Sequence, residues 1–151
     1  MTSLTLASPL LATAAAASLR AYAPYSRFAV GAAAESADGQ IFSAANMENA
    51  SYGLSVCAEL GALQAASSAG KLAHIVRIAV VGAPVGAPRT GKIVTPCGRC
   101  RQLILESAHL GQRDIEILCA DTGLTVAERF AISALLPQGF CPAHLEKPDL
   151  G

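Results

Sequence analysis

The run Ile75-Val76-Arg77-Ile78-Ala79-Val80-Val81 constrains the fold more than any other stretch of this chain. Apart from Arg77 it is apolar on both alternating faces, so as a strand it needs cover on both sides. A central place in a sheet layered between helices supplies that cover. The surrounding sequence alternates to match. Ser8 and Pro9 suit an N-cap and first helical position, and a helix is expected over Pro9 to Tyr22, ended near Pro24. Phe28 to Glu35 and Ile41 to Ala45 read as two strands joined at the turn pair Asp38-Gly39. Ser55 is placed to cap a helix from Val56 to Ser68 that stops at Gly70.

After the central strand comes a Gly/Pro loop, Gly82 to Thr95, and then a helix from Gly98 to Ala108. Ile115 to Ala120 and Leu124 to Ala127 flank Asp121-Thr122-Gly123 as a second hairpin, and a short helix over Ala131 to Leu135 leads into a Pro-rich tail. The order αββαβαββα predicts an α/β fold: three layers, α/β/α, around a mixed five-stranded sheet. No repeat or linker interrupts it, so residues 1–151 are expected to form a single domain.

Eleven basic residues balance eleven acidic ones, which argues against a phosphate backbone as main partner, so no nucleic acid is expected. No uninterrupted apolar run reaches the length of a bilayer span, and no membrane association is expected. Leu4 to Ala17 imitates a signal peptide, but its first basic residue, Arg20, follows the apolar stretch instead of preceding it. Five cysteines, two of them spaced C-x-x-C, suit reduced thiols or a metal site in the cytoplasm better than a disulfide framework.

Three features then stand together: Cys57, Glu59 two residues on, and later Pro96-Cys97-Gly98-Arg99-Cys100. Each cluster opens a predicted helix just after a loop, where free N–H groups and partial positive charge favour thiolate over thiol. Two such junctions on one sheet edge can bring three sulfurs to one ion. Three protein ligands and an open position make a catalytic zinc site, whereas structural sites close with four. Cys119, His109, His74 and His144 are the candidate fourth ligands, and none is placed to close the site. Glu59 can reach a metal-bound water without ligating the metal. Taken singly, each feature has a plainer reading: Cys57 as a core thiol, Glu59 as a solvated first-turn carboxylate, and the C-x-x-C as a redox pair or half a zinc ribbon. Their conjunction carries the weight.

The stretch Ala21 to Phe28 (AYAPYSRF), Val30-Gly31-Ala32, Asn46 to Gly53 (NMENASYG), Cys57-Ala58-Glu59 and Pro96 to Gln102 (PCGRCRQ) resembles the small homotetrameric zinc-dependent cytidine deaminases, and the likeness continues through Leu135-Leu136-Pro137 and Phe140-x-Pro142. Zinc deaminases share the pattern of a ligand, a spacer, Glu, and later P-C-x-x-C, with that Glu as general acid and base. The resemblance implies zinc on Cys57, Cys97 and Cys100, and hydrolysis at C4 of the pyrimidine. Glu59 would deliver a proton to N3 and relay another to the departing amine. It further implies that Phe28 stacks on the base and that Asn46 and Glu48 bind the ribose 3′-hydroxyl. The backbone at Ala58 would touch the base, while Ala50, Tyr52 and Phe140 reach a neighbouring subunit's site.

Three positions depart from that pattern. Leu60 stands where an Arg is usual in tri-cysteine members, Cys141 where a Gly is usual, and Arg99 where a small residue is common. Arg99, between two ligands, is a candidate to donate to a sulfur and so take over the charge role left by Leu60. The Glu59-Leu60 pair with Arg99 is also similar to blasticidin S deaminases. An aminohydrolase for a modified cytidine or nucleoside antibiotic is therefore one alternative, and a zinc-binding module without turnover is another.

Overall fold

The computed structural model describes residues 7–87 and 91–145. Its elements follow the predicted order: α1 (Pro9–Ser18), β1 (Phe28–Ser36), β2 (Ile41–Ala45), α2 (Ala58–Ser68), β3 (Ile75–Pro84), α3 (Gly98–Gly111), β4 (Glu116–Ala120), β5 (Ala127–Ala131) and α4 (Ile132–Leu135). Single 3-10 turns lie at Tyr52–Leu54, Leu72–His74 and Pro142–His144. The strands form one five-stranded sheet in the order β2-β1-β3-β4-β5. β3 is central, as its sequence requires, antiparallel to β1 and parallel to β4.

Side chains alternate across the sheet and divide the core in two. Ala32, Ala34, Ile78, Val80, Ile117 and Cys119 pack with α2, α3 and α4, through residues such as Ala62, Leu63, Ile104 and Ile132. Ala33, Ala79, Val81, Leu118 and Ala120 meet Leu10, Leu11 and Ala14 of α1. The result is the expected three-layer arrangement, with one helix on one face and three on the other. Leu4 to Leu6 of the apolar N-terminal stretch lie outside the described residues.

Several element boundaries differ from expectation, four of them for a visible reason. α1 ends at Ser18 and not Tyr22, because Tyr22 N–H donates to Asn46 O at 3.0 Å and Tyr22 O accepts from Glu48 N–H at 2.9 Å. α2 begins at Ala58 with Cys57 as N-cap, because Val56 is held extended by reciprocal bonds with Met47 of 2.8 and 2.9 Å. Ser55 therefore caps nothing; its hydroxyl accepts from Asn49 N–H. β3 runs on to Pro84 because Val30, Ala29 and Phe28 pair with Gly82, Ala83 and Pro84. β5 starts at Ala127 and not Leu124, since the Asp121 carboxylate gathers Thr125 N–H (2.7 Å), Val126 N–H (3.1 Å) and the Thr125 hydroxyl (2.7 Å) into a longer turn. Ser8 is the N-cap of α1 as predicted, though its side chain makes no capping bond.

The Ala-rich character of α1 and β1 allows close approach between them. A Cβ on Gly31 would collide with Ala14 O and Ser18 N of α1, both backbone atoms that cannot swing aside. Gly31→Ala should force α1 off the sheet and destabilise the fold by about 1–3 kcal/mol, the usual cost of overpacking. Urea denaturation of the two proteins measures this; an unchanged midpoint would mean that α1 packs less tightly than described.

Candidate active site

β2 and β3 are each antiparallel to β1, so they point the same way. α2 and α3 follow their carboxyl ends and pack on the same face. Both helix N-termini therefore start from one edge of the sheet, where ligands bind in open α/β folds. Cys57 is the N-cap of α2, Cys97 the N-cap of α3, and Cys100 lies in the first turn of α3. The three sulfurs all lie within 4.8 Å of one another, with Cys57 and Cys97 4.0 Å apart. Tetrahedral zinc with Zn–S bonds of about 2.3 Å places ligand sulfurs about 3.8 Å apart, so small shifts close the cluster on an ion. A soft three-sulfur set suits zinc, and Cys57, Cys97 and Cys100 are positioned to hold it.

No fourth His, Cys, Asp or Glu joins the cluster among the described residues. Cys119 is buried in β4, and burial pushes its thiol up to about 12. His109 is in the last turn of α3, His74 precedes β3, and the His144 ring accepts from Cys141 N–H. The metal position thus stays open to water and substrate on the protein side.

Beside the sulfurs lies a cavity of about 270 Å³, lined by Phe28, Asn46, Glu48, Ala58, Glu59 and Thr95 among others. A larger groove of about 370 Å³ between α1 and the end of β3 has no titratable side chain in its lining and offers no chemistry. Glu59 is only 4% exposed, and burial raises its carboxyl above the ordinary range. Burial also raises the Cys57 thiol against a hydrogen bond from Cys100. Cys100 is raised strongly, by burial first and then by the nearby charges of Glu59 and the other two sulfurs. Burial opposes ionisation of Cys97 too, but hydrogen bonds from the Cys100 backbone N–H and the neighbouring thiols outweigh it and lower that thiol. Without metal, only Cys97 of the three is shifted towards the thiolate.

The sugar-binding candidates prove to be tied into the chain. Asn46 Oδ1 accepts from Val30 N–H and its Nδ2 donates to Phe28 O, both at 2.9 Å, so the amide fastens the start of β1. Glu48 Oε2 accepts from the N–H groups of Tyr25 (2.9 Å) and Ser26 (3.2 Å). Hydrogen bonds from Ser26, with that from Tyr25, hold its carboxyl below the usual range. Both backbone N–H groups meet Oε2 and not Oε1.

Ala50, Tyr52 and Phe140 are not in the cavity lining. Tyr52 is 74% and Phe140 57% exposed. Arg99 sets a guanidinium nitrogen 3.5 Å from Ser55 O, with no hydrogen bond to a sulfur among those recorded. Arg101, which the sequence reading left without a role, bonds Pro96 O, Leu135 O and Thr95 Oγ1. Its only signal in the sequence is its place directly after Cys100, the last of the three candidate ligands.

An open three-sulfur site beside a buried carboxylate, on the edge of a three-layer α/β fold, defines a metal-dependent hydrolytic class of protein. The sequence model of the cytidine and deoxycytidylate deaminase zinc-binding region matches residues 5–112. The cytidine deaminase of Halalkalibacterium halodurans is 43% identical over 120 residues, covering 80% of this chain and 83% of that relative. That of Mycobacterium tuberculosis is 47% identical over 86 residues, 57% of this chain and 59% of the relative. A crystal structure of cytidine deaminase from Burkholderia pseudomallei superposes with a TM-score of 0.75 at 41% identity, covering 87% of this chain and 96% of that one. The chain belongs to the cytidine and deoxycytidylate deaminase family.

The raised thiols have a measurable consequence. Cys57 and Cys100 lie above the ordinary thiol range, hence are protonated at neutral pH without metal, and must lose those protons to ligate. Zinc uptake by metal-free protein at pH 7 should release about two or more protons per ion, and affinity should fall as pH drops. An indicator dye in weak buffer reads this directly; release of less than one proton would contradict the described burial.

Proposed function

We propose that this chain, as one deaminase domain over residues 1–151, hydrolyses cytidine, 2′-deoxycytidine or both to the corresponding uridine and ammonia. The observation that carries this reading is the buried Glu59 beside the Cys57–Cys97–Cys100 cluster, in a cavity of nucleobase size. Zinc in the cluster supplies Lewis acidity that makes water a nucleophile near neutral pH. Glu59 takes the proton from that water as its oxygen adds to C4, and passes it to N3. It then takes the remaining proton from the new C4 hydroxyl and hands it to the exocyclic nitrogen, so that C4=O forms as the C4–N bond breaks and ammonia leaves. A carboxyl raised by burial suits a group that must both take and give protons.

Phe28 offers a ring to the base face, and Ala58, whose N–H at the first position of α2 has no partner within the helix, lies in the cavity lining where it can meet the base. Glu48 Oε1 and the unused Nδ2 hydrogen of Asn46 are the polar groups we assign to the sugar hydroxyl. Arg99 lends its charge from the Ser55 carbonyl, two residues before a ligand. The relatives above are named cytidine deaminases, which favours a plain nucleoside over an antibiotic substrate, and turnover over a passive zinc module. The five cysteines are free thiols, and no helix among the described residues is long and apolar enough to cross a membrane. Both facts suit our reading of a cytoplasmic enzyme.

Glu59→Ala should keep zinc and lose deamination by about 10²–10⁴ or more, because the ligands survive and the proton carrier does not. Metal analysis beside uridine formation from cytidine separates the two effects. Near-normal turnover would refute the role of Glu59.

We assign the active form to a homotetramer with shared sites. Tyr22, Met47, Tyr52, Leu54 and Phe140 are all more than half exposed, an apolar display that suits burial against a neighbour. On this reading Ala50, Tyr52 and Phe140 complete an adjacent cavity. Sedimentation at assay concentration should find a tetramer, with specific activity falling on dilution below its dissociation range. A fully active monomer would exclude shared sites.

A further inference from the structure

Of the three metal ligands, Cys97 has the least fixed setting. Cys100 is completely buried inside α3, and Cys57 follows Val56, which is pinned to Met47 from both sides. Cys97 is exposed and ends the long loop from β3. Among the described residues, the hydrogen bonds recorded to residues 91–96 all come from Arg101. Its Nε donates to Pro96 O at 2.7 Å and its Nη2 to Thr95 Oγ1 at 2.9 Å. Its backbone N–H donates to Cys97 O at 2.9 Å. One residue thus holds the carbonyls on either side of the Cys97 α-carbon.

The rest of the fork anchors this grip. Nη1 donates to Leu135 O at 3.0 Å, the last residue of α4, where carbonyls lack helical partners. The next residue, Gln102, donates to Phe140 O at 2.7 Å, so two successive side chains bind the C-terminal segment to the start of α3. A guanidinium has a rigid planar fork that can meet three acceptors in fixed directions; an ammonium on a flexible stem cannot hold the same geometry.

We propose that Arg101 is the positioning residue for the metal centre, setting Cys97 by clamping residues 95–97 to the end of α4. This rests on the reading of Cys57, Cys97 and Cys100 as the ligand set. Removing groups that orient a ligand typically costs about 10–100-fold in metal affinity. Loss of the fork removes the hydrogen bonds to Thr95 and Pro96 on one side of Cys97 and leaves the Arg101 backbone N–H to Cys97 O and the burial of Pro96, so the Cys97 sulfur loosens while Cys57 and Cys100 keep their supports.

The test compares the parent with Arg101→Lys, Arg101→Ala and Thr95→Val, each loaded with Co²⁺ and separately with Zn²⁺. The thiolate-to-cobalt charge-transfer band counts bound sulfurs, and zinc release to a chromophoric chelator reports retention. Parent protein should show a three-thiolate band. Arg101→Ala should lose about a third of its intensity and release zinc about 10–100-fold faster. Arg101→Lys should lie between it and the parent, and Thr95→Val, which deletes one acceptor, should show a smaller loss. Melting of the metal-free proteins identifies a general loss of fold; if Arg101→Ala does not fold, Arg101→Lys and Thr95→Val decide. Bands equal to the parent's and release within about twofold of it, in the variants that fold, would overturn the role of Arg101. A parent lacking the thiolate band would instead overturn the ligand set itself.

Discussion

Three sulfurs within 4.8 Å of one another, beside a carboxylate that is 4% exposed, form a cluster in which each negative charge raises the cost of the next. Burial, which strips water from a thiolate, pushes Cys57 and Cys100 towards the neutral thiol even more than this repulsion does. A divalent cation reverses that balance, because its own charge becomes the largest in the site and a coordinating thiol loses its proton. Much of the architecture can be understood as the means of assembling this cluster. Two strands must point the same way, two helices must pack on one face, and both must begin at the same edge. The α1 layer on the other face contributes no ligand. Its part is to cover Ala79 and Val81, so that the central strand can be apolar on both sides.

The cavity next to the cluster is built as much from backbone hydrogen bonds as from side-chain packing. Asn46 spends two polar groups on β1 and Glu48 spends an oxygen on the turn at Tyr25 and Ser26. Such residues orient a site before substrate arrives, and the groups left over have fixed directions. A cavity of about 270 Å³ with exposed aromatic residues nearby is only partly enclosed by a single chain. The stacked pair Phe140–His144 and the edge-on pair Tyr25–Tyr52 place aromatic surface outside the core.

The sequence made the element order, the central strand and the sulfur cluster legible, because each depends on periodicity or on motif spacing. Boundaries were lost where a side chain competed with the regular ladder. The Asp121 turn drew in Thr125 and Val126 and displaced β5, and the Met47–Val56 bridge turned an expected helical turn into extended chain. Arg101 was invisible for a related reason. Its partners lie on residues 95, 96 and 135, and nothing local in the sequence announces a bond between the start of α3 and the end of α4. The resemblance supplied Asn46 and Glu48 as sugar-binding candidates, but it did not show that both side chains hold up the backbone.

The departures near the metal can be weighed by where the charge goes. With Leu60 in place of a cation, no guanidinium among the described residues donates to a ligand sulfur: Arg99 lies on the Ser55 carbonyl and Arg101 on three oxygen acceptors. Direct donation to the sulfurs then falls to the N–H groups of the helix starts, and the Cys100 N–H already lowers Cys97 in this way. Guanidinium groups held on nearby carbonyls act at longer range, through a partly buried medium that screens them less than water does. The part we assign to Arg101 is thus geometric, on the backbone beside Cys97, while its charge is felt at the Cys119 thiol of β4. A lysine would keep the charge and lose the geometry, so the two contributions are separable in this chain.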